Sequence, residues 1–178
     1  KCLGLVAEIP WLSNQTRVTF KRCGEGAPAD LENYQRLGGY VGLNNALALS
    51  RQAIVDEVKA SGLRGRGGAA FPTGIKWQTV LDTASDQKYI VCNADEGDSG
   101  TFADRLLMEG DPFQLIEGMT ITGVAVGATQ GYIYLRSEYP RAQQMLERAI
   151  DAAYDAGLLG QNILESRSSF DLAVRMGA

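Results

Sequence analysis

Lys88-Tyr89-Ile90-Val91-Cys92-Asn93 is a short, continuously apolar run that ends on a polar residue and opens into Ala94-Asp95-Glu96-Gly97-Asp98-Ser99-Gly100. A run of this length without alternation reads as a strand of a parallel sheet. Open α/β sheets take their ligands at the carboxyl ends of the strands, so a site is expected in the loop after Asn93. Downstream the pattern repeats. Asp111-Pro112 is a helix start, a capping carboxylate followed by proline at the first helical position. That helix should run to about Gly127, with Gly118, Gly123 and Ala125 allowing close approach to the sheet. Gly131 to Arg136 is the next strand. Tyr139, Ala142, Met145, Leu146, Ala149, Ile150, Ala153 and Tyr154 then recur at helical spacing, and Gly157 ends that helix. Phe170, Leu172, Val174 and Met176 alternate like one face of a third strand. Strand, helix, strand, helix, strand predicts an α/β fold: a Rossmann-like open parallel sheet with flanking helices.

Upstream of the first strand lies Ser61-Gly62-Leu63-Arg64-Gly65-Arg66-Gly67-Gly68-Ala69-Ala70-Phe71-Pro72-Thr73-Gly74-Ile75-Lys76-Trp77. Five glycines, two arginines, a lysine and two aromatics stand within these 17 residues. Glycine lets an outside group approach bare N–H donors, and the cations point to an anion. Phe71 and Trp77 add flat apolar faces. Such a loop suits a ligand with both a phosphate and a planar ring. It is neither GxGxxG after a strand nor a GxxxxGK[ST] phosphate loop; a flexible surface turn after a helix is the plain alternative. The helix before it is capped by Ser50, carries Ile54, Val55 and Val58 as an apolar stripe, and stops at Gly62. The helix after it starts at Thr73, and its N-terminus adds to anion binding.

In the loop from Asn93 to Gly110, Asn93, Asp95, Glu96 and Asp98 gather hydrogen-bonding groups suited to sugar hydroxyls or the polar edge of a ring. A cation loop is the rival chemistry, but the alternating EF-hand ligand pattern is missing; a solvated acidic turn is the structural alternative. Net charge −4 and a pI near 4.9 do not fit a nucleic-acid surface. No apolar run reaches the ~20 residues of a membrane span. There is no histidine, so Ser-His and Cys-His catalysis and histidine metal sites are excluded. Cys2, Cys23 and Cys92 are far apart and form no CxxC. Reduced thiols in the cytoplasm are the expected state, with Cys92 a small core residue.

Residues 1–29 read as an N-terminal connector, with strand character at Leu3 to Ala7 and at Arg17 to Phe20. Residues 30–178 read as the ligand-binding α/β domain, beginning with helices from Leu31 to Leu37, capped by Asp30, and from Leu43 to Leu49. Lys1 in place of methionine points to a trimmed or partial chain.

GLRGRGGAAFPTGIKW, with Cys92 to Phe102 after it, resembles the NADH- and FMN-binding flavoprotein subunit family. That family includes the NADH-oxidising subunit of respiratory complex I, the diaphorase subunit of NAD-linked hydrogenases and the beta subunit of NAD-dependent formate dehydrogenase. The resemblance runs from about Gln15 to Ala178; NADEGDSGTFADRLLMEGDPF and GYIYLRSEYP are most similar to the formate dehydrogenase branch. It implies FMN and NAD as cofactors, with hydride transfer between nicotinamide C4 and flavin N5 and onward single-electron transfer to iron–sulfur centres. The protein holds the two rings in contact, and no side chain of its own is expected to act as a catalytic acid or base. By resemblance, Gly65, Arg66, Gly67 and Lys76 belong to the FMN set on the first loop, and Asn93, Asp95 and Glu96 to the set at the flavin and its ribityl chain. Gly68, Phe71 and Asp98 are the NAD(H) candidates. Implied partners are an iron–sulfur gamma-type subunit and a molybdenum-containing alpha-type subunit. Many relatives have glycine where Ala70 stands. The family's further acidic loop, and the cysteines of its 4Fe-4S cluster, lie beyond the segment matched here, so the sheet and pocket are expected to be incomplete at their C-terminal side. Equivalent roles in complex I or a hydrogenase, or a truncated non-catalytic interaction module, are the alternatives.

Overall fold

A computed structural model describes residues 4–5, 8–66 and 68–177. The chain forms, in order, α1 (Pro10–Ser13), α2 (Leu31–Arg36), α3 (Val41–Leu47), α4 (Arg51–Ala60), α5 (Thr73–Asp82), β1 (Tyr89–Ala94), α6 (Ala103–Gly110), α7 (Pro112–Val126), β2 (Gln130–Leu135), α8 (Pro140–Asp155), a 3-10 turn (Ile163–Glu165) and β3 (Asp171–Met176). The sheet order is β1-β2-β3, all parallel, with Tyr89 opposite Gln130 and Gln130 opposite Asp171.

The period of two along each strand divides the sheet into unlike faces. Ile90, Cys92, Ala94, Ile133, Leu135, Leu172 and Val174 face the core, which Phe113, Ile116, Leu146, Ala149 and Ile150 of α7 and α8 complete. The opposite face carries Tyr89, Val91, Asn93, Tyr132, Tyr134 and Arg175. There Tyr89 is 56% exposed and Val91 64%. The apolar run that reads as a parallel-sheet strand is thus covered on one face only, the face on which α7 and α8 lie. Cys92 belongs to the covered side, packed against the core. Burial first, then the Asp104 carboxylate, push its thiol up to about 11. Since the thiolate is the nucleophile, iodoacetamide should modify Cys92 about a hundredfold more slowly in the native chain than in the unfolded one. Timed alkylation read by mass spectrometry checks this; equal rates would place Cys92 outside the packed layer.

Two glycines set how closely the layers pack. A β-carbon at Gly123 of α7 or at Gly131 of β2 would come to 2.5 Å of the Phe170 ring, which lies between them. Gly118, expected to serve the same approach, is exposed and has open space around it. Lys88 donates to the carbonyls of Val80 and Leu81 at the end of α5 and of Val126 at the end of α7. One ammonium thereby satisfies the unpaired carbonyls of two helix C-termini.

Ahead of the domain, Arg17 to Phe20 forms turns in place of the expected strand, and most of Leu3 to Ala7 lies outside the described residues. Arg22 fastens this segment to the start of α7: it bonds Asp111 at 2.9 Å and Gln114 at 2.6 Å, and its guanidinium lies 4.6 Å from the Tyr34 ring centre. No helix among the described residues is long and apolar enough to cross a membrane, and no cluster of three or more His, Cys, Asp or Glu could hold a metal ion.

Candidate functional site

The two glycine-bearing loops stand at one end of the molecule for a reason of topology. Lys88 gathers the C-termini of α5 and α7 at the amino end of the sheet, so their N-termini point toward the carboxyl ends of the strands, where the loop after β1 begins.

The first loop closes on itself. Gly65 donates to the Phe71 carbonyl and Thr73 to the Leu63 carbonyl, both at 2.9 Å, and Arg64 bridges Pro72. Gly74 lets α5 lie against α4; a β-carbon there would stand 2.8 Å from the Lys59 backbone. Pro72 precedes α5 without a side-chain cap, and no acidic residue stands in its first turn. The amides of Gly74 and Ile75 find no backbone acceptor among the described residues. A helix start left in this state favours an anion. Lys76, one turn in, is exposed, with its ammonium 5.7 Å from the Phe71 ring centre. Among the described residues, Arg64, Arg66 and Lys76 have no carboxylate within 4.0 Å. Around Gly68 there is open space, and Phe71 is 45% exposed. Gly67 lies outside the described residues. Ala70 has φ 44°, a conformation that glycine adopts without steric cost.

The second loop begins with an Asx turn, the Asn93 side-chain oxygen accepting from the Asp95 amide at 3.1 Å. Asn93, Asp95 and Asp98 are exposed, and Gly97 and Gly100 have open space around them. Glu96 behaves differently: it is 6% exposed and turned inward. Its two carboxylate oxygens accept from the amides of Asp104 (2.9 Å) and Arg105 (3.1 Å) at the start of α6, and from the Tyr139 hydroxyl (3.1 Å). Burial works to raise its pKa, but the amides of Asp104 and Arg105, the Tyr139 hydroxyl and the Ala103 amide together hold it below the usual glutamate value. The helix cap that this charge provides is therefore fully present above the usual value and is lost as pH falls through the lowered one. Arg136 donates to the Glu96 carbonyl, and its own amide bonds the Ala94 carbonyl at 3.2 Å.

Sequence reasoning brings Gly65, Gly68, Phe71 and Lys76 to one loop and Asn93, Asp95 and Asp98 to the other, all at solvent-accessible positions save the half-buried Gly65. It does not single out Arg136, Tyr139 or α6. Arg136 carries a signal, since it directly follows a strand at the carboxyl edge. A cleft of about 530 Å3, lined by Arg51, Tyr89, Tyr132 and Arg167 among others, lies elsewhere, at the amino ends of the strands. Free amides, unpaired cations, an exposed aromatic ring and a polar loop at the same end of the molecule fit a planar ligand that carries phosphate.

The Nuo51 FMN-binding domain matches residues 58–178, and the chain belongs to that family of flavin-binding domains. It is 51% identical over 164 residues to the NADP-reducing hydrogenase subunit HndC of Solidesulfovibrio fructosivorans, a match covering 92% of this chain and 33% of the relative. It is 46% identical over 163 residues to a subunit of the NADH-quinone oxidoreductase of Escherichia coli (strain K12), covering 90% and 37%. A crystal structure of NAD+-reducing NiFe-hydrogenase in the H2-reduced state superposes with a TM-score of 0.59 and 37% identity, over 74% of this chain and 22% of that one. The chain spans about a third of the length of the curated relatives it matches.

Proposed function

We propose that the chain is the NADH/FMN-binding diaphorase portion of a cytoplasmic, multi-subunit NAD-dependent oxidoreductase. The observation that carries this reading is the uncapped start of α5, with Lys76 in its first turns and a glycine loop before it. When bound, FMN supplies two-electron chemistry toward NAD(H) and one-electron chemistry toward iron–sulfur partners. The residues here bind and orient. Gly65, Arg66, Gly67 and Lys76 hold phosphate; Asn93 and Asp95 bond the ribityl chain and ring edge, and Glu96 holds them in place. Gly68, Phe71 and Asp98 receive NAD(H), Phe71 as a stacking face and Asp98 at a ribose.

The wording of residues 93–113 and 131–140 supports formate dehydrogenase as the parent enzyme, with an iron–sulfur gamma-type and a molybdenum-containing alpha-type subunit as partners. The 51% identity to a hydrogenase subunit favours a second reading, the equivalent position in a hydrogenase. Co-purification with a molybdenum or a nickel–iron subunit separates the two. The flavin reading itself is tested by the visible spectrum of the purified chain after adding FMN and then, without oxygen, NADH. A retained flavin band that bleaches is the expected result; no retained flavin counts against the reading.

A further inference from the structure

We propose that Arg136 and Tyr139, at the corner between β2 and α8, are positioning residues for the ligand loop after β1, acting through Glu96. The inference rests on the flavin reading above and assigns these two side chains a part in it.

The loop from Asn93 to Phe102 has little of its own to hold it. Its internal backbone and Asx bonds are those of Asp95 to Asn93, Gly97 to Asp95 and Thr101 to Asp98. Every residue from Asn93 to Phe102 is exposed except Ala94 and Glu96. Glu96 is the point at which this exposed loop is fastened to the body. Its carboxylate reaches forward to the first amides of α6 and sideways to Tyr139, while its carbonyl takes the Arg136 guanidinium. The hold is stiff on the Tyr139 side. Two guanidiniums stand near the ring, Arg105 at 5.3 Å and Arg136 at 5.7 Å from its centre, and the residue is 8% exposed. Arg136 is steadied in turn by Glu138, at 3.0 Å. Asp95 adjoins Glu96 and Asp98 stands two residues beyond, so their directions follow from where this anchor sits. Arg136 and Tyr139 reach the loop through the Glu96 carbonyl and carboxylate.

Tyr139→Phe keeps the ring beside the two arginines and removes only the hydroxyl. The α6 amides still have Glu96, so the fold survives while the loop loses its sideways restraint. Arg136→Met removes the bond to the Glu96 carbonyl. Both variants and the unaltered chain are compared by amide hydrogen exchange, resolved to residues 95–101, and by FMN titration. The expected result is exchange at 95–101 faster by about 5-fold or more, with the sheet and α8 unchanged, and FMN affinity lower by about 5- to 30-fold. Unchanged exchange at 95–101 in both variants would overturn the anchor. Faster exchange with unchanged FMN affinity would overturn the positioning role and leave the flavin reading standing. If the unaltered chain takes up no FMN, the flavin reading and this role both fall, and the exchange data then describe a purely structural clamp.

Discussion

Glu117→Ala is expected to lower the unfolding free energy by about 4 kcal/mol, the sum of several unpaired buried donors. Glu117 projects from the middle of α7 and is 8% exposed. It accepts from the Tyr34 hydroxyl at 2.6 Å, the Tyr40 amide at 2.9 Å and the Leu43 amide at 3.0 Å. The two amides belong to the start of α3, whose own preceding residue, Tyr40, sits at φ 61° and offers no side-chain cap. Burial first, and then Glu117, push the Tyr34 hydroxyl well above its usual range, so it stays a neutral donor. Alanine would strand all three donors in a site packed by Tyr34, Tyr40 and Phe113. Against a total stability of about 5–15 kcal/mol, such a loss is visible as a large shift in the urea midpoint. Glutamine, whose single oxygen can serve only part of the set, should cost about half as much. A loss under about 1 kcal/mol for alanine would mean that water replaces the carboxylate at no great cost.

Lys76→Ala is expected to weaken FMN binding about 10- to 30-fold, as befits one charge-assisted bond to a phosphate. Alanine keeps helix propensity, so α5 should persist. The loss comes from the ammonium, which has no carboxylate within 4.0 Å among the described residues and belongs to the first turns of the helix whose opening amides are free. Flavin fluorescence titration at two salt concentrations measures it. The unaltered chain should lose more affinity than the variant as salt rises. Equal affinities at low salt would remove Lys76 from the phosphate set.

The elements visible in the sequence are those whose signals are local. Ser50 and Asp30 cap α4 and α2 from the expected places, bonding the amides of Ala53 and Asn33. Pro112 opens α7, and the alternation from Phe170 to Met176 is β3. Two of the failures share one physical cause. The residue pattern reads as loop where α6 forms, and it puts the start of α3 two residues late. Both helices begin without a side-chain cap on the preceding residue, and in both the first amides are satisfied from afar. Glu96 reaches eight and nine residues along the chain, and Glu117 reaches back more than seventy. A capping signal sought next to the helix cannot find a carboxylate that folding delivers. The site is legible to the same extent: its loops and cations stand in the sequence, but the inward turn of Glu96, and with it Arg136 and Tyr139, depends on the β2–α8 corner arriving beside β1.

Lys88 has a mechanical side. It grips α5 at the end remote from the glycine loop, and the ten residues of the helix form a lever about 15 Å long. A swing of about 4° at that grip would move the opposite tip by about 1 Å, a misplacement that can slow a reaction roughly a hundredfold. The aim of the free amides at the start of α5 is thus set at the other end of that helix, by Lys88.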